Sequence, residues 1–412
     1  MKYGCIAERL GHSFSKVIHK RLADYEYELL ELDQSELDKF MKSKDFLAIN
    51  VTIPYKQAVI PYLDEIDERA RQIGAVNTVV NRSGRLYGYN TDFGGMVALI
   101  EKLRINIEGK KVLLTGTGGT AKTAYAVARS LGAREVYKLS RNPNGESIGY
   151  EEAYKMHADA DVIINTTPVG MFPKDEGCPI DIGRFPHACG IVDAVYNPLR
   201  TNLVLDGAER GIIAEGGLYM LVAQAVLASE HFLGKKYPDG TAERVYKEIM
   251  IEKENIVLCG MPGCGKSTIG SELAKRLGRR FIDLDAEIVK RSGKEITELF
   301  SMGGEGYFRD IETEVIASIA SESGVVIATG GGAVLRDCNV RMLKRNGRLY
   351  FLDRPLDQLM PTPDRPLALS AEAIGARYKE RLPRYTAVAD EILHTDGVVE
   401  HAVSDVISKM KM

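Results

Sequence analysis

The sequence has no stretch approaching the ~18 consecutive apolar residues of a membrane span, and its opening MKYGCIAERLGHS holds no apolar core of a secretory signal. A cytoplasmic setting is therefore expected. Charge of one sign is missing too. Lys plus Arg number 54 against 57 Asp plus Glu, a net charge of -3, which excludes both the basic excess of a nucleic-acid binder and an acidic tail. Cysteine is sparse, with six residues scattered at positions 5, 178, 189, 259, 264 and 338. There is no CxxC pair and no His/Cys cluster, so neither a zinc site nor a disulfide scaffold is expected, only small buried thiols in a reducing cytosol. No repeat and no low-complexity tract is present.

What remains is ordinary globular composition, 45% hydrophobic and 27% charged, in 412 residues. At ~150 residues per domain that length suggests two or three domains. Short apolar runs alternate with amphipathic stretches: KYGCIA, YELLEL, FLAINVTI, KKVLLTG, EVYKLS, DVIINT, GIVDAV, NIVLCG, RRFIDLD, GVVIATG and GRLYFLD. Alternation at this spacing predicts an α/β protein built on parallel sheets covered by helices. Two strand–glycine-loop–helix units stand out, over 110–131 and 254–277. Residues 241–252 read as a closing amphipathic helix, which sets the main boundary near 253.

The second loop, GMPGCGKST at 260–268, matches GxxxxGK[ST] in full, after a strand and before a helix. Its glycines free backbone N–H groups for phosphate oxygens, Lys266 brings charge to the β- and γ-phosphates, and Ser267 offers a hydroxyl to Mg²⁺. This half is expected to bind a nucleoside triphosphate. Asp283 and Asp285 lie two apart at a strand end and are expected on one side of it, for the metal's water shell and a hydroxyl nucleophile. Capping of a helix by Asp285 is the simpler alternative. Gly330, Gly331 and Gly332 follow the strand VVIAT, where three glycines bring backbone close to a ligand.

GMPGCGKST, DLD, FRDIE, ATGGG, RPL and RLPRY occur in an order and spacing similar to shikimate kinase, over about 254–412. The resemblance implies ATP-dependent phosphorylation of shikimate at its 3-hydroxyl. Gly260, Gly263, Cys264, Gly265, Lys266, Ser267 and Thr268 would hold ATP, with Lys266 catalytic. Asp285 would bind the shikimate hydroxyls and assist the nucleophile, and Ser267 and Asp283 would serve the Mg²⁺. Arg309 and Arg381 would grip the carboxylate, and Gly330, Gly331 and Gly332 would pack along the ring. Arg365 would reach the transferring phosphate from a lid (356–371) that is short and carries Pro361, Pro363 and Pro366.

In the first half, Gly116-Thr-Gly118-Gly119-Thr120-Ala121 fits GxGxxG/A after the strand VLLT. The next strand ends in Ser140-Arg141-Asn142, where dinucleotide folds that take NAD place an acid. Arg141 there suits a 2′-phosphate and predicts NADP. Upstream, NVTIPYK (50–56), GAVNT (74–78) and GYNTD (88–92) cluster polar groups that suit a polyhydroxylated ligand. Lys56 beside Asp92 would form an ion pair able to pass a proton.

Together with HSFS (12–15), SRN, NTTPVGM, DAVYNP and the Gln224 helix, these motifs resemble shikimate dehydrogenase over about 1–250. The resemblance implies NADPH-dependent reduction of 3-dehydroshikimate, with Lys56 and Asp92 as the catalytic pair. Ser13, Ser15, Thr52, Asn77, Tyr196 and Gln224 would bind substrate. Gly116, Gly118, Gly119, Thr120, Ala121, Ser140, Arg141, Thr166 and Gly217 would bind the cofactor. Lys16, Lys20 and Glu8-Arg9 depart from the usual pattern without removing a proposed ligand.

The resemblances imply three domains. Residues 1–103 with 220–252 would form a substrate-binding domain, 104–219 a Rossmann-type NADP domain, and 253–412 a P-loop kinase domain with a parallel sheet. The product hydroxyl of the first half would be the acceptor of the second. The partners are small molecules, with no nucleic acid or membrane. Two alternatives stay open: a quinate-preferring dehydrogenase half, and a non-catalytic sensor of pathway intermediates, against which Lys56, Asp92, Lys266 and Asp285 all stand.

Overall fold

The computed structural model describes residues 2–10, 14–359 and 371–410. The chain divides into two compact units, 1–249 and 250–412, with the division inside the helix Thr241–Lys253. Among the described residues no helix is long and apolar enough to cross a membrane.

The first unit holds two sheets. One contains β1 (Tyr3–Ala7), β2 (Tyr27–Glu31), β3 (Ala48–Val51), β4 (Glu65–Ile66), β5 (Thr78–Arg82) and β6 (Arg85–Tyr89), in the order β2-β1-β3-β5-β6-β4. The sequence pattern predicts parallel sheets, but this one is mixed: β5 runs antiparallel to both β3 and β6. The cause is local. Ser83 and Gly84 both take positive φ, 52° and 85°, and close a two-residue hairpin whose twist suits paired strands. Thr78 then faces Tyr89, so Asn77 before β5 and Asn90 after β6 arrive at the same sheet end.

The other sheet is parallel: β7 (Lys111–Thr115), β8 (Glu135–Leu139), β9 (Val162–Asn165), β10 (Gly190–Asp193) and β11 (Ile213–Glu215), in the order β11-β10-β9-β7-β8. Every residue of β7, β9 and β10 is buried, as strands covered on both faces require. The chain leaves β7 toward β8 and returns on the opposite side at β9. The glycine loop after β7 therefore sits at the switch point where open α/β sheets bind ligands.

The second unit repeats that logic with β12 (Asn255–Cys259), β13 (Phe281–Asp283), β14 (Val326–Ala328), β15 (Gly347–Asp353) and β16 (Glu391–His394), all parallel in the order β13-β14-β12-β15-β16. Its phosphate loop follows the central strand β12.

Cysteine burial is expected throughout but holds only for Cys5, Cys259 and Cys264. Cys178, Cys189 and Cys338 lie outside the packed strands and are exposed, and none of the six is disulfide-bonded.

Candidate active sites

Lys56 follows the turn after β3, where its carbonyl accepts from the Val76 N–H at 2.8 Å. Asp92 lies in the first turn of the helix Thr91–Lys102, capped by the Asn90 side chain. Tertiary folding joins them: Lys56 Nζ donates to Asp92 Oδ2 at 2.6 Å, with side chains only 13% and 10% exposed. The other Asp92 oxygen accepts from Asn77 Nδ2 at 2.9 Å. The Asn77 amide has one possible orientation, because the Thr91 backbone N–H donates to its Oδ1 at 2.7 Å. Gln224 completes the group, its Oε1 accepting from Asn77 Nδ2 at 3.4 Å and Thr91 Oγ1 at 3.3 Å.

Gln224 reaches this point because two helices touch backbone to backbone. A Cβ on Gly95 would lie 2.6 Å from the Met220 carbonyl oxygen, and one on Gly94 would lie 2.4 Å from Leu227 Cδ1. Only glycine lets Thr91–Lys102 approach Leu218–Leu233 so closely. Beneath the site, Tyr27 donates to Asn50 Oδ1 at 2.7 Å, and Asn50 Nδ2 donates to Thr78 Oγ1 at 3.2 Å and the Asn77 carbonyl at 3.3 Å.

The dinucleotide loop meets this cluster. Gly118 caps the helix Gly119–Ser130 with no side-chain hydrogen bond, which leaves the first-turn N–H groups for an anion. Gly119 lies against Lys56, whose Cδ is 3.6 Å from where a Cβ would stand. Gly116 has φ 106° and packs on Thr166, whose hydroxyl donates to the Thr115 carbonyl at 2.6 Å. Thr120 is half-buried and Ala121 is fully buried. Arg141 is exposed, and Ser140 Oγ accepts from the Asn142 N–H at 3.1 Å. Gly217 donates its N–H to the Val195 carbonyl at 2.8 Å, and a Cβ there would strike Ala194.

Thr52 is half-buried just past β3, and Ser15 is half-buried at the start of the helix Ser15–Leu22. Tyr196 packs on Phe14 with ring centroids 5.5 Å apart, and burial pushes its phenol up to about 12. Ser13 and Arg365 lie outside the described residues.

In the second unit the phosphate loop holds Gly260, Gly263 and Gly265 at φ 147°, 79° and 97°. Gly260 must be small, since a Cβ would meet the Leu352 carbonyl at 2.8 Å. Lys266 is buried, its Nζ donating to the carbonyls of Gly260 at 3.0 Å and Met261 at 2.8 Å, with Cys264 Sγ at 3.7 Å. Ser267 and Thr268 are exposed, and Ser267 Oγ donates to Asp283 Oδ2 at 2.5 Å.

The two aspartates do not share the strand end. Asp283 ends β13 and caps the next helix, its Oδ1 accepting from the N–H groups of Asp285 at 3.0 Å and Ala286 at 3.2 Å. Asp285 lies in that helix's first turn, so its direction follows helical geometry and Asp283 is the capping residue.

Around Gly330–Gly332 the expected residues converge. A Cβ on Gly330 would lie 2.9 Å from Asp285 Oδ1 and 2.7 Å from Glu312 Oε1, and one on Gly332 would overlap the Arg309 guanidinium. Arg309 pairs with Glu312 at 2.7 Å and Glu305 at 3.0 Å. Arg381 donates to the Gly331 carbonyl at 3.0 Å, and Tyr385 donates to the same oxygen. Glu312 is fully buried, and among the described residues its Oε1 has no hydrogen-bond partner. Burial raises its carboxyl above the ordinary value against the pull of Arg309, and Asp285 adds to the rise.

Family comparison matches residues 5–79 to the shikimate dehydrogenase substrate-binding domain and residues 262–411 to shikimate kinase. A shikimate dehydrogenase (NADP(+)) of Clostridium beijerinckii is 36% identical over 243 residues, 55% of this chain and 90% of that protein. One from Geobacillus kaustophilus is 38% identical over 259 residues, 58% of this chain and 94% of that protein. The chain belongs to the shikimate dehydrogenase family. Behind that region it carries the shikimate kinase domain. Shikimate dehydrogenase 1 of Peptoclostridium difficile superposes with TM-score 0.57 and 32% identity, covering 60% of this chain and 98% of that one. A chorismate mutase/shikimate 5-dehydrogenase fusion from Clostridium acetobutylicum gives the same TM-score at 34% identity, covering 60% and 96%.

Within this dehydrogenase and kinase fusion, sequence reasoning missed Thr78, Thr91 and Asn50, which orient Asn77. It also missed a role for Glu312, although the three-residue spacing from Arg309 puts both on one helix face.

Proposed function

We propose that the first unit reduces 3-dehydroshikimate to shikimate with NADPH, and that the second phosphorylates the shikimate 3-hydroxyl with Mg-ATP. On this reading the chain performs two consecutive steps in the cytoplasm. Residues 1–103 with 220–252 bind substrate, 104–219 bind NADP, and 253–412 form the kinase. The observation that carries the reading is one contact set. The Lys56 ammonium bonds Asp92 at 2.6 Å while its side chain lies against Gly119 of the dinucleotide loop. An ammonium, its partner carboxylate and the glycine loop meet at one place, which supports their reading as proton donor, substrate ligand and cofactor loop.

NADPH supplies the hydride when bound. Lys56 protonates the oxygen of the carbonyl being reduced, a contribution of ~10²–10⁴-fold for a positioned acid. Asp92 aims that ammonium and receives a substrate hydroxyl. Asn77, Thr52, Gln224, Tyr196 and Ser15 bind the remaining polar groups, with Ser13. The loop fits the cofactor: Gly118 has nothing within 4 Å of a Cβ position, and Arg141 after β8 is flanked by Ser140 and Asn142 rather than by an acid.

ATP with Mg²⁺ supplies the phosphoryl group when bound. Ser267 and Asp283 are the residues that would hold the Mg²⁺ and its waters, as their mutual hydrogen bond supports. Lys266 neutralises the phosphates from a buried position. Asp285 orients the attacking hydroxyl. Arg309 and Arg381 bind the carboxylate, with Gly330, Gly331 and Gly332 against the ring.

One reaction tests the whole reading. Purified protein is given 3-dehydroshikimate, NADPH and Mg-ATP, and products are read by mass. Shikimate 3-phosphate formed only with both cofactors is the expected result. Shikimate alone would overturn the kinase assignment, and no reduction would overturn the dehydrogenase assignment.

A further inference from the structure

The last residues of the three central strands of the nucleotide sheet are Thr115 on β7, Asn165 on β9 and Asp193 on β10. They are in register, Thr115 opposite Asn165 and Asn165 opposite Asp193. All three are completely buried, and they are linked side chain to side chain. Thr115 Oγ1 donates to Asn165 Oδ1 at 2.6 Å, and Asn165 Nδ2 donates to Asp193 Oδ1 at 2.8 Å. Thr201 Oγ1, from the cap of the helix Asn202–Glu209, donates to Asp193 Oδ2 at 2.6 Å.

Asn165 and Asp193 also hold the loops that leave their own strands, and the Thr115 carbonyl accepts from the Thr166 N–H at 3.0 Å and hydroxyl at 2.6 Å. Gly116 of the dinucleotide loop follows Thr115. Thr166 follows Asn165, and the Thr167 N–H and hydroxyl both donate to Asn165 Oδ1, at 3.0 and 2.7 Å. Asp193 Oδ1 accepts from the Val195 N–H at 2.9 Å, an Asx turn that aims Tyr196. The Val195 carbonyl in turn accepts from Gly217. Two loops thus take backbone positions from one polar chain, and the third, the dinucleotide loop, begins at the residue after Thr115.

Resting on the NADPH reading above, we propose that Thr115, Asn165, Asp193 and Thr201 form a positioning brace, with Asp193 at its centre, that holds the three cofactor-facing loops in mutual register. Asp193 touches neither substrate nor cofactor; it acts through Val195 and Asn165. Burial pushes its carboxyl up to about 6 against the pull of its three donors, Asn165, Val195 and Thr201, whose bonds depend on the shape of the group.

Asparagine preserves that shape. Its Oδ1 would accept from Asn165 and Val195, and its Nδ2 would donate to the Thr201 hydroxyl. Asp193→Ala removes the links to Asn165, Val195 and Thr201 and leaves the Thr115–Asn165 bond. The test is calorimetric NADP⁺ binding to the full chain. Asp193→Ala is expected to weaken binding on the order of tenfold to a hundredfold, the scale of a sub-ångström loop displacement. Asp193→Asn is expected to restore most of it. Thr115→Val, which removes one hydroxyl and keeps the side chain's shape, is expected to give a smaller loss and decides the matter if Asp193→Ala does not fold. Wild-type affinity in both Asp193→Ala and Thr115→Val would overturn the brace. So would equal losses in Asp193→Asn and Asp193→Ala, since charge would then be what matters. A wild-type chain that binds no NADP⁺ would instead overturn the cofactor reading, and the brace with it.

Discussion

Gly95→Ala sets two opposing effects against each other. In a helix interior alanine is favoured over glycine by ~1 kcal/mol. At this position its methyl would lie 2.6 Å from the Met220 carbonyl oxygen, 2.9 Å from Gln224 Cβ and 3.1 Å from the Gln224 nitrogen. An unstrained carbon–oxygen contact is ~3.3 Å, so the helices must part by about 0.7 Å. The obstacle is backbone of a 16-residue helix, which cannot swing aside as a side-chain tip does. Overpacking of this kind costs ~1–3 kcal/mol and here should fall at the upper end. The net expectation is a loss of about 1–2 kcal/mol in the first unit. Function should suffer more than stability. The Gln224 hydrogen bonds to Asn77 and Thr91 are already 3.4 and 3.3 Å, and the same displacement breaks them. The kcat/KM for 3-dehydroshikimate should fall on the order of tenfold to a hundredfold. Thermal unfolding and NADPH oxidation measure the two effects, with ATP-dependent phosphorylation of shikimate, carried by the other unit, as the unchanged control. A variant that melts at or above wild type with unaltered kcat/KM would refute the close-packing argument.

Gly118→Ala is the converse case. Its φ of -76° suits alanine and its Cβ meets nothing within 4 Å, so melting should stay at wild type while the KM for NADPH rises on the order of tenfold or more, read by initial rates. Arg141→Ala should weaken NADPH binding by about 10–100-fold, the worth of one charge-assisted phosphate contact, and leave NADH turnover unchanged; equal losses for both cofactors would exclude the 2′-phosphate role. Lys266→Met should abolish phosphorylation of shikimate and leave NADPH oxidation intact, measured on the same preparation. His19 is fully buried and stacked on Tyr27, and burial lowers its pKa to about 3 from an ordinary 6.5. The unfolded chain therefore takes up a proton that the folded one does not between those values, so His19 contributes stability above pH ~6.5 that is lost toward pH ~3. The stability difference between wild type and His19→Phe should narrow steadily over that range in denaturant titrations; a difference independent of pH would contradict the neutral buried imidazole.

Much of this is legible in the sequence. The glycine loops at 116–121 and 260–268 announce themselves because their requirement is local: backbone free of side chains between a strand and a helix. The same holds for Arg141 at the end of β8 and for the motif order that identifies both families. The mixed first sheet was less legible, because a hairpin made by Ser83 and Gly84 looks in sequence like any polar turn. The place of Asp285 was misread for a related reason. Asp283 supplies the cap, and the chain turns helical two residues earlier than the strand pattern suggests.

Sequence alone determined the family, the two glycine loops and the candidate residues, since strand alternation, loop glycines and charge type are properties of neighbouring residues. Tertiary structure alone decided which of them meet. Lys56 and Asp92 are 36 residues apart, and Asn77 and Gln224 are 147 apart. They converge because Gly94 and Gly95 admit a second helix and because β5 turns back beside β3. The Thr115–Asn165–Asp193 brace likewise exists only through strand register, and the Glu312 oxygen without a hydrogen-bond partner among the described residues only through burial. Contacts between distant segments depend on packing distances of a few tenths of an ångström, and no local pattern encodes those.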